Sequence, residues 1–278
     1  MSDFTNSSSS LELFYKQLIK SPLPLSVRNN LGDILASVYR SEQHLTWKTI
    51  RNRESSLLKP LNFMRENGYL PLQIPFASEL AFELRSLDNP GVRDHGRGGR
   101  KETVTLNNVS SLASVQKLVN DNPLYDLVSL YLGAPASLHT CQAWWQYPMG
   151  PSHKPSNAQL WHRDRDDLNE LKLFFYATDV DGSSGPHAYL PKSHNYQGLS
   201  SLFPPASLDN PVVNGITNSF VDDSFFNELG LTSSFKKWLG PAGTCFLEDT
   251  RGFHRAYIPS KSPRLLFSLV WTVGPGFS

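Results

Sequence analysis

Beyond residue 135 the chain becomes a series of short runs rich in β-branched and aromatic residues: SLHTCQAWWQY, AQLWHRD, LKLFFYATDV, HAYLP, GTCFLED and RLLFSLVWTV. Turn-forming segments separate them, namely PMGPSHKPSN, DGSSGP, TRG and PSKSP. Many short strands with glycine and proline turns therefore predict a sandwich or barrel rather than a parallel α/β sheet. One longer stretch, roughly 195–240, interrupts them. It mixes proline turns with SFFNELG and SFKKWLG, which read as short helical pieces. An insert of that length is either a lid or binding loop, or surface decoration.

The first half reads differently. LELFYKQLIK carries apolar residues at 11, 13, 14, 15, 18 and 19, one helical face. Pro22 and Pro24 break it. VRNNLGDILASVYR places Val27, Leu31, Ile34, Leu35 and Val38 on one stripe. SSLLKPLNFMRENGY predicts a helix ending near Gly68, and DNPLYDLVSLYLG one that starts at an Asp/Asn turn and stops at Gly133. Residues 76–87 and 110–132 carry further helical patterns. None of these segments presents a catalytic arrangement, so residues 11–134 are expected to pack on the outside of the β half.

The 278 residues allow a large core. A net charge of +1 leaves no electrostatic footprint for nucleic acid or an anionic membrane. The densest basic stretch, RDHGRGGRKE at 93–102, reads as a solvated loop or as a loop at a site mouth. Cys141 and Cys245 lie far apart in apolar runs, which fits a reducing compartment better than a disulfide framework. MSDFTNSSSS lacks the basic and apolar regions of a secretory signal, and residues 1–10 read as a disordered tip. No run approaches the ~18 apolar residues of a membrane span. A cytoplasmic protein is expected.

Chemistry concentrates at LWHRDR, residues 160–165. In a strand, i and i+2 share a face, so His162 and Asp164 project together and Arg163 points the other way. An imidazole and a carboxylate on one face supply two ligands of a 2-His-1-carboxylate triad, which leaves three adjacent positions open on iron. With 8 histidines and 25 acidic residues, an acid two places after some histidine is expected by chance. The pattern therefore needs a distant second histidine. His44, His95, His139 and His153 lie in helical, glycine-rich, strand-start or proline-turn positions, and His187 and His194 flank LPKSH. His254, just before the final strands, is the best placed. Arg264 opens the last strand, where its planar fork can hold a carboxylate next to a metal.

Together, WHRDRDD…LKLFFYATDVDGSSGPHAYLPKSH, GTCFLEDTRGFHRAY and Arg264 resemble the phytanoyl-CoA dioxygenase family of Fe(II)- and 2-oxoglutarate-dependent oxygenases. The family shares HxD, a strand, a D-x-D-x-x-x-G-P turn leading to P-x-S-H, then a distal His and an Arg. Here the turn is DVDGSSGP (179–186), and P-x-S-H is Pro191 to His194, with Lys192 where the family commonly has Gly. The resemblance covers about 135–275 and extends faintly over FMRENGYLPLQI (63–74). It does not reach residues 1–60.

The resemblance implies a double-stranded β-helix, a jelly-roll or cupin-like core that is mostly β with flanking helices. It implies one oxygenase domain over 11–278, with its core at 135–278. It implies His162, Asp164 and His254 as iron ligands, and Arg264 as partner of the distal carboxylate of 2-oxoglutarate. Dioxygen is the third reactant, and a small-molecule substrate is oxidised as succinate and CO2 are released. Asp164 favours hydroxylation over halogenation, because related halogenases lack the carboxylate. Some relatives carry a hydroxyl residue two positions after the distal His to help hold the cosubstrate. Here that position is Ala256, so another residue supplies the contact or none does. Lys172, Phe174 and Tyr176 share a strand face, and Tyr176 is either a cosubstrate donor or a core aromatic. Gln142, Trp144 and Gln146 share another face and are candidate cavity residues. Two alternatives remain open: a non-catalytic binding protein on the same scaffold, and a cupin-like metalloenzyme without 2-oxoglutarate.

Overall fold

The structure, a computed structural model, describes residues 13–87, 103–150, 152–217 and 220–273. The expected tip at 1–10 and the basic loop at 93–102 lie outside the described residues. Helix α1 (13–20) is followed by α2 (Leu25–Glu42), α3 (His44–Asn52), α4 (Glu54–Asn67), α5 (Ala77–Ser86), α6 (Ala113–Val119) and α7 (Asn122–Leu132). Gly68 ends α4 at φ 79°, its N–H bonded to the Met64 carbonyl. Helix α7 starts where the Asp121 carboxylate accepts from the Leu124 N–H at 2.8 Å, and it ends at Gly133, φ 81°. No helix among the described residues is long and apolar enough to cross a membrane.

The buried face of α2 differs from the expected stripe. Leu25, Arg28, Gly32 and Ala36 are buried, whereas Val27, Ile34 and Val38 are exposed. Close approach decides the face. A Cβ at Gly32 would stand 3.1 Å from the Leu168 carbonyl oxygen. Arg28 donates to the carbonyls of Ile19 and Asp167 at 2.6 and 3.3 Å. Small residues and a hydrogen-bonding arginine thus take the position that apolarity alone gives to larger side chains.

Among the described residues, nine strands form two antiparallel sheets. They are β1 (Tyr69–Leu72), β2 (Thr103–Thr105), β3 (Ala136–Gln146), β4 (Glu170–Tyr176), β5 (His187–Tyr189), β6 (Lys236–Trp238), β7 (Cys245–Glu248), β8 (His254–Ala256) and β9 (Arg264–Val273). The major sheet runs β1-β7-β4-β9-β3-β2, and the minor sheet runs β6-β5-β8. Neighbours that are distant in sequence, such as β4 and β9, give a jelly-roll rather than a simple meander.

Register assigns each face of the major sheet. Leu171, Leu173, Phe175, Leu265, Phe267, Leu269 and Trp271 turn to the helices and join α2, α4, α5 and α7 in the largest apolar core. The alternate residues form an inner grid. Thr140, Val270, Lys172 and Glu248 make one row; Gln142, Ser268, Phe174 and Phe246 make the next. Trp144, Leu266 and Tyr176 follow, then Gln146 beside Arg264. The strand faces read from the sequence are therefore present, and the polar inner face is the one turned toward the minor sheet.

Two sequence expectations change here. SFKKWLG is not helical: Lys236–Trp238 pairs with β5, and the Trp238 ring stacks on Phe246 at 3.9 Å. An aromatic partner and an open strand edge override the local pattern. AQLWHRD is not a continuous strand either. A 3₁₀ turn spans Asn157–Gln159, followed by isolated bridges from Trp161 to Val221 and from His162 to His254. The 195–240 insert is thus part of the fold. It supplies β6, α8 (Tyr196–Leu202), α9 (Asp223–Asn227) and the partners of Trp161 in a second apolar cluster.

Candidate metal centre

His162 and His254 are 92 positions apart in sequence, yet their backbones exchange two hydrogen bonds at 3.0 Å. That bridge brings the rings to 4.2 Å between centroids. Asp164 is positioned two residues on by its N–H, which donates to the Thr250 carbonyl at 2.8 Å. Although this segment is not a regular strand, it alternates as one. Arg163 points away, stacked over Phe253 at 4.0 Å and bonded to the carbonyls of Ser193, Val213 and Arg251.

One ligand atom each from His162, Asp164 and His254 lies within 4.8 Å of the others. The His162 and His254 Nε2 atoms stand 3.4 and 3.5 Å from the Asp164 carboxylate. Each histidine uses Nδ1 on the carbonyl two residues earlier, Leu160 at 2.9 Å and Gly252 at 3.0 Å. Nδ1 is therefore the protonated nitrogen, and Nε2 carries the lone pair. Burial, reinforced by His162, holds His254 below the ordinary imidazole value, so it stays neutral. Burial pushes Asp164 upward, but Lys172, His254 and His162 outweigh it and keep the carboxylate ionised well below its usual range. Lone pairs converging from two imidazole Nε2 atoms and a carboxylate repel one another unless a cation sits among them. The donor set therefore fits a divalent metal such as iron.

The carboxylate is held from behind. Lys172 Nζ donates to Asp164 at 2.6 Å and to Asp166 at 3.1 Å, and lies 3.8 Å from Glu170. Glu170 is fully buried, and burial is the main reason its pKa is pushed up to about 8.

His162, Asp164, His254, Lys172 and Asp166 border a cavity of about 260 Å³ between the sheets. At one end Arg264 is fully buried. It donates to the Gly185 carbonyl and to Gln146 Oε1, while its Nε has no partner. Among the described residues it forms no ion pair with an acid. A buried guanidinium with unspent donors and no counterion fits a carboxylate ligand. Gly185 is required there: its φ is +71°, and a Cβ would meet the Tyr257 carbonyl oxygen at 2.5 Å. Toward the other end lie Thr140, Gln142, Gln159, Asp166, Lys172 and Ser268.

The sequence candidates divide accordingly. His162, Asp164, His254, Arg264, Gln142, Trp144 and Gln146 all border the cavity. Tyr176 does not reach it as a donor. Its hydroxyl accepts from the His187 N–H at 3.0 Å and donates to the Trp238 carbonyl at 3.2 Å. Its ring lies 5.9 Å from the Arg264 guanidinium, so it supports the arginine from the core side. His194 is away from the centre, bonded to the Arg65 carbonyl at 3.0 Å. Sequence reasoning passed over Glu170, and it did not rank His187 among the cavity residues. The alternation of HAY could have shown His187 on the same face as Tyr189, but not that this face is inward.

No family model matches the chain, and no curated protein matches it. Solved structures do. The apo form of EctD from S. alaskensis is 18% identical over 77% of this chain and 76% of its own, with a TM-score of 0.51. The structure of EctD with bound Fe gives the same values. HygX from Streptomyces hygroscopicus, solved with nickel and 2-oxoglutarate, is 17% identical over 78% of this chain and 87% of its own, at a TM-score of 0.48. The likeness to EctD shows the fold: antiparallel sheets in a cupin-like jelly-roll with flanking helices.

Proposed function

We propose that this protein is an Fe(II)- and 2-oxoglutarate-dependent dioxygenase acting on a small molecule, with the motif order of the phytanoyl-CoA dioxygenase family. The observation that carries the reading is the pairing of two unsatisfied features across one cavity. Three metal-type donors converge at one point of the cavity wall, and a buried arginine faces the same space with no acidic partner among the described residues. That EctD holds Fe on a similar fold supports the choice of metal.

In this reading His162, Asp164 and His254 hold iron, and Arg264 neutralises the distal carboxylate of 2-oxoglutarate. Gln146 and the Gly185 carbonyl fix the guanidinium, with Tyr176 behind it. When bound, iron and 2-oxoglutarate supply the oxidising chemistry with dioxygen, releasing succinate and CO2. The chain's own part is orientation and exclusion of water. Phe174, Leu266 and Trp144 form the apolar wall of the inner grid. Thr140, Gln142, Gln159 and Ser268 line the cavity with neutral polar groups suited to a substrate. Asp164 occupies the third ligand position, which favours hydroxylation or a related oxidation over halogenation. The proposed oxygenase domain spans 11–278. Its two unpaired cysteines fit a cytoplasmic setting.

The test is anaerobic absorption spectroscopy with Fe(II), then 2-oxoglutarate. A weak visible charge-transfer band is expected, and Arg264→Leu should weaken it. Iron binding without the band would remove 2-oxoglutarate from the reading and leave a cupin-like metalloprotein. Binding of neither would leave a scaffold with a non-catalytic role.

A further inference from the structure

The cavity holds a third histidine that the metal set does not use. His187, on β5, is buried and borders the cavity. Its Nε2 is committed to Glu248 Oε1 at 2.7 Å, so it cannot join the ligand atoms of His162, Asp164 and His254. Its ring lies near-parallel to His254 at 5.7 Å and packs on Phe174 at 4.8 Å and Phe246 at 5.6 Å. On its other flank, the Gly185 carbonyl two residues earlier is held by Arg264. Its own N–H is tied to the Tyr176 hydroxyl, which stands behind that arginine. His187 is thus fixed in backbone and ring between the candidate metal ligand and the candidate carboxylate clamp. Nδ1 is its one ring nitrogen that makes no hydrogen bond among the described residues.

Register adds a second observation. His187 pairs directly with Ala256 across β5 and β8, so the two side chains stand on the same face of the minor sheet. Ala256 also borders the cavity and offers no polar atom to it. The imidazole occupies the neighbouring place on the opposite strand.

We propose that His187 is a 2-oxoglutarate-binding residue: its Nδ1 edge contacts the cosubstrate between the metal and Arg264, in place of a polar side chain at position 256. Glu248 acts through it as a positioning residue: its carboxyl, kept protonated by burial, donates to Nε2, so that Nδ1 carries the ring hydrogen and donates to an oxygen of the ligand. This rests on the oxygenase reading.

The experiment compares wild type, His187→Leu and His187→Asn, each loaded anaerobically with Fe(II). Asn retains a polar group near the Nδ1 position and Leu does not. Iron affinity, titrated first, should stay within a few-fold of wild type in both variants. The 2-oxoglutarate Kd, read from the visible band, should weaken about tenfold to a hundredfold in His187→Leu, the range for one hydrogen bond to a charged group. His187→Asn should recover most of that loss. Equal Kd values in Leu and wild type, or equal losses in Leu and Asn, would overturn the proposal. A measurement without variants covers the case in which they do not fold. In the ¹⁵N-histidine-labelled wild type loaded with Zn(II), the His187 Nδ1 resonance should move when 2-oxoglutarate is added. A stationary resonance in a protein that binds 2-oxoglutarate counts against the contact. If wild type binds iron but no 2-oxoglutarate, the oxygenase reading itself has failed, and the two failures are thereby distinguished.

Discussion

Replacing Lys172 with Met should push apo stability and metal response in opposite directions. In the wild type the ammonium neutralises Asp164 at 2.6 Å and also meets Asp166 and Glu170. Three carboxylates lose their cation in the variant, but they do not suffer equally. Glu170, pushed up to about 8 chiefly by burial, stays protonated near neutral pH and costs little. The Asp166 side chain is 69% exposed, so water screens it. The cost falls on Asp164, 19% exposed and facing the lone pairs of two histidines. Breaking one buried pair costs about 3–5 kcal/mol. Because Asp164 retains some solvent, about 3 kcal/mol is the better figure, a fall of roughly 6–12 °C in Tm for a chain of this size. A divalent ion among the triad replaces the missing charge and no longer faces a neighbouring ammonium. Mn(II) or Ni(II) should therefore raise the Tm of Lys172→Met by more than it raises that of the wild type. Differential scanning fluorimetry with and without metal measures both effects. An unchanged apo Tm together with an unchanged metal shift would show that Lys172 carries no charge balance at the site.

Lys192 sits at φ 69°, the left-handed region, where the resembled family commonly has glycine. Lys192→Gly should therefore stabilise the chain by about 0.5–1 kcal/mol in urea denaturation, since the ion pair it gives up, to Glu66, is exposed. His162→Ala should lose iron binding and turnover together; an active variant would sink the triad. Burial raises Asp249, but Arg251 and Tyr131 outweigh it and hold it below the ordinary carboxylate value. Its stabilising share is therefore present above the unfolded carboxylate range and is lost as pH falls through the still lower folded value. Arg251→Gln should flatten that acid limb in pH-dependent unfolding.

Much of the inner face was legible because β alternation is a local rule. Lys172, Phe174 and Tyr176 share their face as read, as do Gln142, Trp144 and Gln146. His254 was reachable because His162 needed a distant partner and the chain order offered few. What escaped depends on contacts between elements. The inward face of α2 was set by the room at Gly32 and by carbonyls awaiting Arg28, neither of which apolarity reports. SFKKWLG became a strand because β5 offered an edge and Phe246 a ring. Tyr176 was placed on the correct face, but the destination of its hydroxyl depended on Trp238, 62 positions away.

Both candidate ligand histidines are oriented by main-chain oxygens two residues before them, Leu160 and Gly252. A carbonyl survives any substitution, so the imidazole tautomers are insulated from side-chain mutation at those positions, provided the backbone keeps its path. Gly252 must stay small for another reason, the Tyr189 hydroxyl 2.2 Å from where its Cβ would stand. Selection cannot adjust a metal at this site through an acidic Nδ1 partner, because among the described residues neither histidine has one to exchange. Variation in metal affinity among descendants of this chain should accumulate instead around the carboxylate, at Lys172, Asp166 and Glu170, where side chains still decide the charge.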